Sequence, residues 1–563
     1  MIYGAILAVV IPATLVHWGG SAAALTAQLP TAGLDLSYSF GRMLAAYLAS
    51  LGFALAYGYY AAVHRPAERV MIPVLDILQS VPILGFFPVA ILFFVGLTGP
   101  GSFLGPNLAS VFLIFTSMAW NMVFGVYESL KTIPNDLREA SQAFGISGVQ
   151  RLRRVVFPAT ANRLVYNSIL SWTAGWFFLV EAEIFSTNSS AGITLPGIGS
   201  FLSISAAAQD GSAFLAGLIL LVTLIAALDF GLWRPLSRWA EKFRYDQTPA
   251  SDGVTTAEDR YRSARLQRAA SFVSRGLRSG ASRVRAPWAL LTTRRRRPTR
   301  SGEGSLRAAA VKYIVLGAIL VMVWLMLIAI IVSVYQLFTA PILPAVRQQI
   351  LELPVAMGAS VLRVVAAFLI SLAITLPLSI YFARVSSRAS RYGLPIVEVI
   401  ASFPATALFP VIIFELLPYL TGEGAAILML MTGMMWYLLF NLLSGIRGLP
   451  PDLTEASRSF GAGRWLHLRR VLLPAIFPAF VTGAITAFGG GWNTLIVAEY
   501  LSVGSRTFQL FGVGQMIDLG AQEAGGLPLL AAALFTLVIT VIALNELIWK
   551  PMYRKAVQKY RYD

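Results

Sequence analysis
Three residues on one helical face, and an arginine well upstream of them, occur twice in this chain. Trp172, Trp176 and Glu183 are spaced i, i+4 and i+11, and Phe488, Trp492 and Glu499 repeat the spacing. Each set lies in a stretch of apolar residues, where a carboxylate at mid-bilayer depth costs ~2.5–3.5 kcal/mol on insertion scales. Two readings are open: a glutamate facing a polar cavity, or an interfacial glutamate among packing aromatics. Glu183 stands about 10.5 Å along the helix from Trp176. Arg42 and Arg363 hold matching places, where they attract an anion, orient against Glu183 and Glu499, or snorkel to the interface. Other chemistry is excluded more simply. The chain has no cysteine, hence no disulfide, iron–sulfur cluster or thiolate metal site. Its histidines, His17, His64 and His467, are far apart in sequence, which speaks against a histidine metal centre. No G-x-x-x-x-G-K-S/T loop is present to cradle a nucleotide.

The elements that carry these residues are membrane spans. Of 563 residues, 57% are hydrophobic and 13% charged, against about one-quarter charged in soluble domains. A bilayer core needs about 20 apolar residues per helix. Two groups of six stretches satisfy this. The first is 2–18, 38–63, 71–97, 107–127, 163–187 and 213–233; the second is 310–338, 359–383, 392–419, 424–444, 477–502 and 527–549. Ile2–Val16 lacks the basic start of a signal peptide and is counted as a span. Pro82, Pro88, Pro404 and Pro410 interrupt long apolar stretches, so the third and ninth spans are expected to break or kink.

Charge gives the orientation. The net charge is +17, and 19 Lys/Arg against six Asp/Glu fall between residues 234 and 312. Loops on the opposite side carry only Arg347 and Arg506. The positive-inside rule then puts both termini and the basic segment in the cytoplasm. Within that segment Arg260–Arg285 has an apolar face suited to anionic lipid, and Arg294–Arg297 reads as a topology anchor rather than a nucleic-acid site. The expected units are a first six-span domain (1–233), a basic linker (234–309), a second six-span domain (310–549) and a tail (550–563).

The two groups are copies. Ile133–Gly145 lies over Leu449–Gly461 at an offset of 316, and the register continues through Trp176 over Trp492 and Glu183 over Glu499. Farther back the offset is 322, with Pro82 over Pro404 and Pro88 over Pro410. Equal span number and orientation make these parallel repeats about an axis along the membrane normal, with a cavity between them as the natural path.

Between the fourth and fifth spans of each copy lies a cytoplasmic loop of about 35 residues with helical pattern. Pro134 and Pro450 sit where a helix can begin, and Asp136 and Asp452 suit its first turn. Leu137, Ala140 and Phe144, and then Leu453, Ala456 and Phe460, form one apolar face. Gly145 and Gly461 break the helix as residues with φ > 0. A surface loop resting on headgroups is the plainer reading of one copy; two equivalent copies point to docking.

Glu139-Ala140-Ser141…Gly145…Pro158 and Glu455-Ala456-Ser457…Gly461…Pro474 resemble the EAA motif of ABC importer permeases, with serine for the second alanine. The arginine early in the second span, Ser-x-Pro at 80–82 and 402–404, and Trp-x6-Glu at 176–183 and 492–499 are similar to the nitrate/sulfonate/taurine group. The resemblance covers about 38–233 and 359–549. It implies an all-α polytopic fold like a type I importer permease, with about 12 transmembrane helices and a normally dimeric pair of domains fused in one chain. It also implies that the EAA loops are coupling helices seated on two separate ABC ATPase subunits, where Glu139 and Glu455 meet an arginine or backbone donors and the glycines allow the turn. ATP and Mg would belong to those subunits, with no cofactor or metal in this chain.

The resulting expectation is a multi-pass permease of a bacterial or archaeal inner membrane, not itself an enzyme. It would take a small solute from an extracytoplasmic binding protein by alternating access, with an oxyanion or organic anion of the nitrate, bicarbonate or sulfonate kind as substrate. Arg42, Pro82, Trp176, Glu183, Arg363, Pro404, Trp492 and Glu499 are the pathway candidates. An ion-coupled secondary transporter with two six-span repeats is the alternative, and would concentrate acid–base residues mid-membrane.

Overall fold
Ser21 starts the first described helix by accepting a hydrogen bond at its Oγ from the Ala24 N–H, 3.1 Å away. The computed structural model describes residues 18–80, 82–99, 101–133, 139–141, 143–146, 150, 155–188, 195–243, 339, 342–385, 393–401, 403–503, 506–523 and 525–559. The expected spans 2–18 and 310–338, and the basic linker beyond residue 243, fall outside or almost wholly outside these.

The first half runs α1 (Ala22–Val63), α2 (Arg65–Ser80), α3 (Phe87–Thr98), α4 (Leu104–Lys131), α5 (Phe157–Asn188), α6 (Ile198–Ala207) and α7 (Gly211–Leu228, carried through a π turn to Phe243). The second half repeats it: α8 (Pro344–Ile380), α9 (Leu394–Ala401), α10 (Ala405–Leu416, partly 3-10 and π), α11 (Gly422–Arg447), α12 (Pro451–Ser459), α13 (Phe477–Glu499), α14 (Val513–Gln522) and α15 (Leu527–Leu544), followed by α16 (Lys550–Lys559). Seven helices among the described residues are long and apolar enough to cross a membrane. The fold is all-α and polytopic, in two copies.

Three features depart from the sequence expectation. Residues 22–37 and 344–358, read as connecting loops, are the first turns of α1 and α8. The loops 188–212 and 503–526 each hold a ten-residue helix, α6 and α14. These segments are short and rich in Gly, Ser and Ala, so a window of about 20 apolar residues passes over them. A two-stranded ribbon, β1 (Tyr500–Val503) and β2 (Arg506–Gln509), pairs antiparallel with Leu501 opposite Phe508.

The third and ninth spans are broken as the prolines require. α2 ends at Ser80, one 3-10 turn spans Leu84–Phe86, and Pro88 opens α3; Pro404 and Pro410 divide the equivalent stretch. Each break makes a hydrogen bond to the other half. Ile83 N donates to Asn493 Oδ1 of α13 at 2.7 Å, and Thr406 Oγ1 donates to the Phe177 carbonyl of α5 at 3.2 Å. Phe177 and Asn493 are repeat equivalents, so each half's break leans on the other half's tryptophan helix. Buried apolar side chains of both halves accordingly form one contiguous cluster.

Inside each half an aromatic triad joins three helices. Tyr47, Trp172 and Trp233 have ring centroids 5.4–5.9 Å apart, and Phe368, Phe488 and Trp549 repeat them at 4.8–6.4 Å. Such offset and edge-on aromatic contacts fix helix rotation. They also decide which way the rest of α5 and α13 points.

Candidate functional site
The duplicated loops between the fourth and fifth spans of each half are the first candidate site. α12 begins at Pro451, with Asp452 in its first turn, and ends in a Schellman turn: Gly461 N donates to the Arg458 carbonyl and Ala462 N to the Ser457 carbonyl. Gly461 has φ +71° and Gly145 φ +65°, the left-handed conformation expected of both glycines. In the first copy Pro134, Asp136 and Leu137 lie outside the described residues, and the same 6→1 bond runs from Ile146 N to the Ser141 carbonyl.

The two loops present the same groups. Glu139, Ala140, Glu455 and Ala456 are exposed, and Phe144 and Phe460 stand 82% and 90% exposed. Each phenylalanine stands exposed beside an exposed carboxylate, and the pairing is the same in both copies. Ser141 and Ser457, the departures from Glu-Ala-Ala, turn inward and are buried. Ser457 Oγ lies 2.9 Å from His467 Nδ1 in the next turn, so a hydroxyl there ties the elbow together. His467 has no histidine as its repeat equivalent, since Arg151 stands there, so self-comparison of the sequence does not single it out.

The second site is the pair of buried ion clusters. Arg42 on α1 and Glu183 on α5 meet at 2.6 Å, both buried. The Glu183 carboxylate also accepts from Ser39 Oγ at 2.7 Å and from the Gly199 N–H at 2.8 Å, capping the N-terminus of α6. Ser39 Oγ in turn accepts from Ile198 N at 2.8 Å, and Arg42 spends its other donors on Asn107 Oδ1 and the Pro196 carbonyl, each at 2.7 Å. The second half reproduces the arrangement. Arg363 meets Glu499 at 2.6 Å, Glu499 accepts from Ser360 Oγ and Gly514 N, and Ser360 Oγ accepts from Val513 N.

Gly197 and Gly512 make this possible by absence of a side chain. A Cβ on either would overlap the carboxylate of Glu183 or Glu499. The duplicated Gly-x-Gly at 197–199 and 512–514 is the sequence signal for this cap, within stretches whose shortness reads as loop. Of the open readings for Arg42 and Arg363, the structure has them oriented against the glutamates, each a staple between two long helices and a short one.

Trp176 and Trp492 are buried, Trp176 edge-on to Trp172 at 6.4 Å. Pro82 and Pro404 are buried at the helix breaks on the contact between halves. The pathway candidates therefore separate into two groups: breaks at the interface, and staples within each half.

Comparison with known proteins bears on the same two stretches. Residues 51–232 and 375–545 each match the family described as binding-protein-dependent transport system inner membrane component. The chain is 29% identical over 173 residues to the glycine betaine/proline betaine transport system permease protein of Escherichia coli, covering 30% of this chain and 47% of that one. It is 29% identical over 110 residues to the nitrate import permease protein of Leptolyngbya laminosa (20% and 38%), and 27% identical over 153 residues to the taurine transport system permease protein of Escherichia coli (27% and 54%). The chain spans about half the length of such relatives or less. With two matched copies covering most of its length, this chain belongs to the family of binding-protein-dependent transport system inner membrane components.

Proposed function
We propose that this chain supplies two fused membrane domains of an ATP-driven importer, with two separate ATPase subunits seated on the elbows at Glu139–Gly145 and Glu455–Gly461. The observation that carries this reading is the duplicated elbow, which exposes a carboxylate and a phenylalanine at matching positions and closes on a glycine of positive φ. Charge-assisted hydrogen bonds from the ATPase to Glu139 and Glu455 would fix the angle of each elbow, and Phe144 and Phe460 would fill apolar pockets. ATP and Mg would reside on those subunits.

The basic ends of the helices face the cytoplasm in this reading, with both termini, and an extracytoplasmic binding protein delivers the solute to the opposite face. The path runs between the halves, bordered by the breaks at Pro82 and Pro404. Arg42–Glu183 and Arg363–Glu499 hold the helices that flank it, and Trp176 and Trp492 pack in the interior of those helices. The solute is a small oxyanion or organic anion, the class to which nitrate and taurine, named for the relatives, belong. The ion-coupled alternative gains no support from the family.

Glu139→Lys with Glu455→Lys tests the docking. The double variant should remain in the membrane, lose ATPase co-purification and lose vanadate-sensitive ATP hydrolysis by the complex by at least tenfold. Normal hydrolysis and normal co-purification would remove the docking role.

A further inference from the structure
Two buried carboxylates are used neither by the staples nor by the elbows. Glu181 on α5 and Asp518 on α14 are 2% and 1% exposed, and both line one narrow cleft of about 20 Å³, room for a water-sized group, between the first half's α5 and the second half's α13, β1 and α14. Glu181 Oε2 and Asp518 Oδ1 have no hydrogen-bond partner, and no basic side chain lines the cleft among the described residues. Tyr500, Phe185, Ser502 and Gln522 complete the polar and aromatic part of its wall, with the Tyr500 hydroxyl donating to Gln522 Oε1 at 3.2 Å.

The repeat shows that this is not inherited frame. Where Glu183 has Glu499 as its equivalent, Glu181 has Val497, and Asp518 has Ser203. One acidic cleft is therefore built from both halves, once per chain. Buried carboxylates in an apolar interior are costly unless something supplies donors and positive charge. An ionised carboxylate accepts hydrogen bonds only, and an ammonium offers three N–H donors and one positive charge. Aromatic faces beside it add cation–π attraction. A quaternary ammonium would satisfy the charge and leave both oxygens without donors.

We propose that this cleft receives a primary ammonium group of the transported solute. The proposal rests on the importer reading and deepens it: the substrate is an organic acid that also carries an amine, rather than a bare oxyanion. Glu181 and Asp518 take the amine end, and the anionic end is read elsewhere on the path.

The test uses the full chain with its ATPase subunits in lipid nanodiscs, and methylammonium chloride as the probe. Tetramethylammonium chloride and sodium chloride at equal ionic strength are the controls. Methylammonium should raise the melting temperature saturably, and Glu181→Gln and Asp518→Asn should each weaken its apparent affinity at least tenfold. Both variants keep the size and shape of the side chain and put no new charge in the cleft, so neither should melt far below the parent when no ligand is present. A Val497→Ala variant, altering an apolar wall residue, should keep the response within threefold and so controls for general disturbance of the cleft. Absence of a saturable methylammonium response, an equal response to sodium or tetramethylammonium, or an undiminished response in both acidic variants would overturn the proposal. None of those results touches ATPase co-purification, which reports on the importer reading alone.

Discussion
The two halves solve one problem with different third partners. Arg42 has Glu183 and two neutral acceptors, Asn107 and the Pro196 carbonyl, whereas Arg363 has Glu499 and a second carboxylate, Glu423, which grips it through two hydrogen bonds of 2.6 Å. Asn107 and Glu423 are equivalent in the repeat. The buried part of the cluster, with its serine, glycine and helix N-terminus, is the same in both; the difference lies at the rim, where the Glu423 side chain is 54% exposed. Duplication keeps the carboxylate that caps a helix and lets the half-exposed partner change. Cost follows burial, because a buried charge without its partner has no water to turn to.

That comparison can be broken directly. Glu183→Ala leaves the Arg42 charge buried with neutral partners and should cost about 3–5 kcal/mol, read as a fall in melting temperature of the purified protein or its loss from the membrane. Glu499→Ala should cost less, since Glu423 still neutralises Arg363. Adding Glu423→Asn to Glu499→Ala makes the second half resemble the first and should restore the larger penalty. Glu423→Asn alone should cost roughly 1 kcal/mol or less, in keeping with an exposed pair. Equal penalties for the two glutamates would mean that the rim carboxylate does not share the charge.

A surface contact gives the smallest expected effect. Lys131 Nζ lies 2.6 Å from Glu68 Oε2 and Tyr127 Oη 2.5 Å from Oε1, and these donors hold the Glu68 carboxyl below its ordinary range. A depressed value in the folded state adds stability above the ordinary carboxylate pKa, and that stability is lost as pH falls through the depressed one. Glu68→Gln should therefore melt slightly below the parent at pH 7, and the two should converge in acid. A difference that widened on acidification would have the wrong sign.

Much of this was legible in the sequence, for reasons that differ by feature. The repeat and the elbows show because Gly145 and Gly461 need a left-handed backbone and sit at one offset from matching acids. The helix breaks show because proline cannot continue a helix. The staples were visible only as matching Arg and Glu; that they meet required the rotation set by the aromatic triads. α6 and α14 were hidden by their shortness, and with them the glycines that admit the carboxylates. Glu181 and Asp518 were invisible for the opposite reason: their repeat partners are Val497 and Ser203, so self-comparison passes over them, and they converge only when the halves are packed.

In the proposed importer the elbows face the cytoplasm and carry the ATPases. Because the native chain has no cysteine, Phe460→Cys introduces a single reactive thiol at a residue that is 90% exposed. A membrane-impermeant maleimide should label it in inside-out vesicles, not in right-side-out ones, and bound ATPase subunits should protect it. Labelling from the extracytoplasmic face would contradict the account.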